Sequence, residues 1–259
     1  MIRNRIKRRA QAGEKLLGAW VFTGSPAACE IYALAGYDIV LIDTEHTPLD
    51  VKDVLECARA VEAGGGDAMV RVPGHDSSHF KRLLDAGIHS FMVPMVDTVE
   101  QAHSIVRACL YPPRGRRGFA ATAARSGLYG FHENYADVAH EETFLALQVE
   151  SVEAARDAAA IAAIDGADCL FIGPNDLAGS MNKLGKLTDP QLLTVIDEAA
   201  AAIHKAGKVS GIIPLPTRDA SDCAARGFGI VIGECDVPTL KAGALADIAR
   251  HRKAFPGRR

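Results

Sequence analysis

A strand-then-helix alternation runs through this chain and repeats eight times. Short apolar runs at 16–23, 37–43, 67–72, 90–96, 144–150, 167–172, 209–214 and 228–233 read as strands. Each is followed by a segment with helical apolar spacing, at 26–35, 50–63, 78–86, 99–110, 152–164, 191–206, 218–225 and 237–255. Gly36, Gly87, Gly207 and Gly227 stop four of these helices just before the next strand, where a left-handed C-cap favours glycine. The strand runs lack clean polar–apolar alternation, as expected of parallel strands covered on both faces. Eight such units in 259 residues give the α/β class and the size of a (β/α)8 barrel, a single domain over 1–259. The alternative is a doubly wound sheet, but no glycine-rich dinucleotide turn follows the first strand. Two connections exceed the usual length, 111–142 (with a short helix at 131–139) and 177–190. They read as lids or subunit contacts.

The formal net charge of -3 offers no basic stripe, which argues against nucleic acid as a partner. No apolar run is long enough to span a bilayer. The basic N-terminus, MIRNRIKRRAQAG, lacks the apolar core of a secretory signal. It resembles a transit peptide in charge, but a first amphipathic helix is the better reading. Cys29, Cys57, Cys109, Cys169, Cys223 and Cys235 are scattered with no C-x-x-C spacing. They read as reduced, mostly buried thiols of a cytoplasmic protein.

If the strands close a barrel, their C-terminal ends share one mouth, where barrel enzymes do chemistry. The first strand brings Trp20, and the second ends in Asp43-Thr44-Glu45-His46. The third brings Arg71, and the fifth ends with Gln148 and Glu150. The sixth runs into Gly173-Pro174-Asn175-Asp176. Leu147 and Val149 share one face of the fifth strand, and Gln148 and Glu150 the other, because side chains alternate with a period of two. Glu150 and Asp176 are two acidic donors on one rim, able to hold a hard divalent cation. With a candidate base, His46, and a fixed cation, Arg71, this inventory suits deprotonation beside a carbonyl with the enolate stabilised. Each member also has a plainer reading. Glu150 could cap the helix near Val152, and Asp176 a turn. His46 could be a surface histidine, Arg71 a structural ion pair with Asp43 or Glu45, and Trp20 a core residue. No lysine stands at the end of a strand, so a metal route is favoured over an imine route.

At the level of motifs the chain resembles the metal-dependent 2-oxo acid aldolases of the HpcH/HpaI type. That family includes hydroxy-oxo-heptanedioate, 2-keto-3-deoxyglucarate and 2-keto-3-deoxyrhamnonate aldolases. The resemblance rests on LIDTEHTPLD (41–50), VRVPG (70–74), KRLLDAGIHSFMVPMV (81–96), YPPRGRRG (111–118), LQVES (147–151) and FIGPNDL (171–177), in order. It implies a class II aldolase that cleaves a 4-hydroxy-2-oxo acid, reversibly, to pyruvate and an aldehyde. By the same resemblance, Glu150 and Asp176 hold Mg²⁺, Mn²⁺ or Co²⁺. His46 is the base, acting directly or through a water on the metal, and Asp85 raises its basicity. Arg71 stabilises the enolate, Gln148 binds substrate, and the backbone N–H groups of Asn175 and Asp176 hold the pyruvate carboxylate. Family members usually carry a small residue where Asn175 stands, which alters the pocket's shape. The resemblance also implies a homohexamer with the last helix on a neighbour and the YPPRGRRG loop near a contact.

Two rivals remain at this level. A citrate-lyase-β type thioester lyase shares the barrel and the acidic site but needs basic residues for coenzyme A. Arg114, Arg116 and Arg117 are the only such cluster. A non-catalytic binding barrel is the other, although every matched position holds a residue competent for its role.

Overall fold

The computed structural model describes residues 3–255, so Met1, Ile2 and the last four residues of the 1–259 range lie outside it. Eight parallel strands close a barrel: β1 (Leu16–Val21), β2 (Ile39–Asp43), β3 (Asp67–Arg71), β4 (Ser90–Val93), β5 (Phe144–Val149), β6 (Cys169–Ile172), β7 (Val209–Ile212) and β8 (Ile230–Cys235). β1 pairs with both β2 and β8, so the sheet has no free edge.

The period of two sorts the strand residues into two layers. Leu41, Met69, Met92, Ala146 and Phe171 point into the barrel and fill it. Their neighbours Val40, Ile42, Val70, Leu145 and Leu147 point outward, under the helices. Most of the covering helices are α2 (Pro26–Leu34), α3 (Val51–Ala63), α4 (Ser77–Asp85), α5 (Val99–Cys109) and, further on, α10 (Pro190–Lys205) and α11 (Ala220–Ala225). Their starts are encoded locally. Asp50 and Asp53 form a reciprocal capping box on α3, and Thr98 and Gln101 form one on α5. The helix-stop glycines at 36, 87, 207 and 227 adopt positive φ, as their positions require. The basic N-terminal stretch forms α1 (Arg5–Gln11), whose Ile6 and Ala10 join the interior cluster and floor the barrel. All six cysteines are free, five of them buried. Among the described residues no helix is long and apolar enough to cross a membrane.

Four stretches depart from the sequence expectation. The single helix expected over 152–164 breaks at Asp157, whose ψ of 7° leaves the helical region, giving α7 (Val152–Arg156) and α8 (Ala158–Ala162). The 177–190 connection is not all loop, because α9 (Pro174–Ser180) begins it, with proline at the first helical position. In 111–142 a 3₁₀ segment, Arg125–Gly130, precedes a helix of only one turn, α6 (Tyr135–Val138). Left-handed Leu128 and Tyr129 interrupt the backbone there. Finally, β8 runs directly into α12 (Asp236–His251) with no intervening loop.

Candidate active site at the strand C-terminal ends

The mouth is organised from Asp43. β2 and β3 are in register with Asp43 beside Arg71. Arg71 Nε donates to Asp43 Oδ1 at 2.7 Å, and both side chains are buried. The same carboxylate accepts from the backbone N–H of Glu45 (3.2 Å) and of His46 (3.3 Å), which sets the turn carrying both side chains. Arg71 Nη1 lies 3.0 Å from Glu45 Oε2, an ion pair without aligned hydrogen-bond geometry. The guanidinium stacks 4.5 Å over the Trp20 ring, whose Nε1 donates to Ile232 O at 3.2 Å. Arg71 is therefore fixed in position, and it lines the cavity. The plainer reading of Arg71 and the functional one describe the same arrangement.

Glu150 follows β5 and is buried. Its Oε1 accepts from Gln148 Nε2 at 2.7 Å, and its Oε2 from the backbone N–H of Met95 at 2.9 Å. The helix-cap reading does not hold, since Ser151 caps α7 through Ala154 N. A Cβ on Gly173 would fall 2.4 Å from Glu150 Oε1, so the carboxylate occupies space that only glycine leaves open. Burial pushes the Glu150 carboxyl up to about 7, and the nearby charges of Asp176 and Glu45 push the same way, against Met95 N–H and Arg71. Burial also raises Glu45, with Arg71 and His46 opposing.

Asn175 and Asp176 stand exposed in the first turn of α9 and not in an open turn as expected. The N–H groups of a first turn have no acceptor within the helix, so they remain donors toward the mouth. The His46 side chain is 59% exposed, with Nε2 3.7 Å from Glu45 Oε2. Trp20, His46, Arg71, Gln148, Asn175 and Asp176 thus line one cavity of about 370 Å³ together with Glu150.

Within this chain Asp85 does not join them. It ends α4, which delivers the chain to the start of β4 at the opposite end of the barrel. There it accepts from Arg117 Nη2 at 2.9 Å. Arg117 stacks 4.4 Å over Tyr111 and donates to Tyr135 Oη at 3.2 Å. Asp85 therefore neutralises a buried arginine and does not reach His46 within this chain. Arg117 is likewise unavailable to a coenzyme A phosphate, and Arg116 is turned to Ser104 Oγ. Sequence reasoning gave Asp43 and Glu45 only as ion-pair partners, and missed Phe22 and Cys235, which complete the cavity wall. Their position at a strand end was the one available signal.

Among the described residues no group of three or more His, Cys, Asp or Glu side chains converges as a metal cage. The donors present still fit a hard divalent cation. The charge of Asp176 raises the cost of ionising Glu150, and a cation beside them removes that cost. Gln148 Oε1 is a buried acceptor with no partner. Few protein carboxylates, with substrate and water oxygens completing the shell, is the habit of Mg²⁺-like ions.

Residues 16–240 match the family model described as HpcH/HpaI aldolase/citrate lyase. A hydroxypyruvate/pyruvate aldolase of Agrobacterium fabrum is 40% identical over 81% of this chain and 79% of its own length. A 4-hydroxy-2-oxovalerate aldolase of Novosphingobium aromaticivorans is 38% identical over 96% of this chain and 95% of its own. The crystal structure of an HpcH/HpaI aldolase/citrate lyase family protein from Burkholderia cenocepacia superposes with a TM-score of 0.90 at 34% identity, covering 96% and 99% of the two chains. Barrel, motifs and relatives agree, and the chain belongs to the HpcH/HpaI aldolase/citrate lyase family.

Proposed function

We propose that this chain is a divalent-metal-dependent aldolase that reversibly cleaves a 4-hydroxy-2-oxo acid to pyruvate and an aldehyde. The names of its relatives support the pyruvate aldolase class. The observation that carries the mechanism is Arg71, clamped by Asp43 and Glu45 at the same mouth as Glu150, Asp176 and His46.

In the cleavage direction His46 takes the proton of the C4 hydroxyl. The C3–C4 bond breaks, the aldehyde carbonyl forms, and the electron pair passes into a pyruvate enolate. Arg71 offers preorganised positive charge to the enolate oxygen, where negative charge develops. The proton returns to C3 and pyruvate leaves. Free N–H groups of Asn175 and Asp176 hold the substrate carboxylate, Gln148 contacts the substrate, and Trp20 backs Arg71. Bound by Glu150 and Asp176, Mg²⁺, Mn²⁺ or Co²⁺ would supply Lewis-acid polarisation of the keto acid. His46 acts as the base beside Glu45.

We further propose one domain, a cytoplasmic location and a homohexamer. Support for assembly comes from α12, where Leu240 and Leu245 are 68% and 57% exposed and only Asp236 is buried. The reaction is tested without knowing the aldehyde. Pyruvate alone, with Mn²⁺, should exchange its methyl protons with D₂O, and absence of catalysed exchange would refute the reading.

A further inference from the structure

Building on the aldolase reading, we infer that Asp236 is a positioning residue of the mouth. Its carboxylate fastens the loop that carries Phe22, and through Phe22 it sets the apolar surface that receives the aldehyde's carbon chain. Asp236 opens α12 and is the one buried residue of that helix. A carboxylate this deep needs donors, and it finds them on another element. Its Oδ1 accepts from the backbone N–H of Phe22 at 2.9 Å and its Oδ2 from that of Thr23 at 3.0 Å. The Thr23 hydroxyl donates to the same Oδ2. β1 ends at Val21, and Asp236 supplies the acceptors that the two N–H groups beyond it require. Such charge-assisted bonds are the strong ones, so they fix where the chain goes on leaving the barrel.

The far end of this loop is held by other groups. Cys57 Sγ of α3 donates to Gly24 O at 3.2 Å. A Cβ on Gly24 would fall 2.3 Å from Leu49 Cδ2, so the loop packs closely on the segment that follows His46. Losing Asp236 therefore frees Phe22 and Thr23 and leaves Gly24 seated. Trp20, whose ring lies 6.1 Å from that of Phe22, keeps its own bond to Ile232 O. Arg71 keeps Asp43, and Glu150 keeps Gln148 and Met95 N–H.

The lining that this chain supplies divides by chemistry. Its polar members serve the keto acid and the metal, which leaves Phe22, Ile213 and Cys235 for a carbon chain. Phe22 is bonded to Asp236 through its N–H, and Cys235 directly precedes Asp236. One carboxylate thus sets two of the three. A displaced wall weakens binding in proportion to the length of chain that touches it.

The test uses the full chain with Mn²⁺ and pyruvate, and butanal against acetaldehyde as acceptors. Asp236→Asn keeps the shape but loses the charge and one acceptor, and Thr23→Val loses only the hydroxyl. Thr239→Val is the control, because it removes a bond to Cys235 O (2.8 Å) from the same turn of α12 without touching the loop. We expect Asp236→Asn to raise KM for butanal about tenfold, with KM for acetaldehyde and D₂O exchange into pyruvate each within about twofold of wild type. Thr23→Val should move the same way by less, and it decides the matter if Asp236→Asn does not fold. Thr239→Val should change neither KM. An equal rise for both aldehydes, no rise in variants that still exchange, or the same rise in Thr239→Val overturns the inference. Loss of exchange in the wild-type enzyme overturns the aldolase reading itself.

Discussion

Arg71 and Asp43 form a buried ion pair, Nε to Oδ1 at 2.7 Å, whose register is set by the pairing of β2 with β3. Such a pair is worth little as net stability, yet breaking a buried pair costs up to roughly 3–5 kcal/mol, offset in part here because Glu45 still lies 3.0 Å from Arg71. Asp43→Ala should therefore lower thermal stability sharply. Asp43→Asn, which keeps an acceptor, should lower it less. Both should slow pyruvate exchange, since Arg71 and the 43–46 turn lose their anchor. Normal exchange in a folded Asp43→Asn protein would show that the clamp does not position Arg71.

Arg71→Ala removes a donor aimed at charge present only in the transition state. Exchange should fall by about 10²–10³-fold, with a smaller effect on pyruvate binding. Arg71→Lys should not restore it, because an ammonium cannot meet Asp43, Glu45 and the enolate together as a planar fork can. His46→Ala should slow exchange by about 10²–10⁴-fold. Isotope exchange measured by NMR checks all three, and metal-dependent exchange unaffected by both alanine variants would sink the mechanism.

The barrel was legible because parallel strands buried on both faces and glycine-stopped helices leave strong periodic signals. Strand ends then placed Trp20, His46, Arg71, Gln148 and Glu150 at one mouth by topology alone. The pairing of Asp85 with Arg117 was not legible, because its context inside the matched motif 81–96 carries no information about what it pairs with. Arg117 lies far along the chain, and only the fold brings it within 2.9 Å. Phe22 and Cys235 were missed for a related reason: an apolar residue at a strand end has the same pattern whether it faces core or cavity. The break at Asp157 depends on a local backbone angle that helical spacing does not report.

Metal binding should depend on pH through Glu150. Its carboxyl is pushed up to about 7, so it is largely protonated below that value and must release a proton to bind a cation. Affinity for Mn²⁺ should therefore fall as pH drops from 8 to 6. The sign for stability is the reverse. A carboxyl raised above its unfolded value costs stability as pH climbs from about 4.5 to 7, on the order of 3 kcal/mol for this shift. Metal-free protein should lose stability over that window, and Glu150→Gln should flatten the loss. EDTA should abolish activity, with Mn²⁺, Co²⁺ or Mg²⁺ restoring it. Calorimetric titration at two pH values is the check, and full activity in exhaustively chelated protein would end the metal reading.

Assembly should be visible in sedimentation. Val237, Leu240, Leu245 and Ile248 on α12 are between 45% and 68% exposed in the single chain, an apolar stripe left without cover. A hexamer is expected at micromolar concentration, and Leu240→Glu with Leu245→Glu should dissociate it. A stable wild-type monomer would refute the expectation.

Gly173→Ala isolates the placement of the Glu150 carboxylate from its chemistry. The backbone at Gly173 has φ of -97°, which alanine adopts freely, so no conformational strain arises. The new methyl would instead fall 2.4 Å from Glu150 Oε1 and 2.7 Å from Cγ. Glu150 cannot simply swing aside, because Gln148 Nε2 and Met95 N–H hold its two oxygens. The substitution should cost about 1–3 kcal/mol, as overpacking does. It should also displace the carboxylate while leaving every ionisable residue of the site present. Mn²⁺ affinity and exchange should both fall, and excess Mn²⁺ should recover part of the exchange. Arg71→Ala should show no such recovery, since it leaves both acidic donors in place. Unchanged Mn²⁺ affinity in a folded Gly173→Ala protein would mean that Glu150 does not hold the metal from the position seen here.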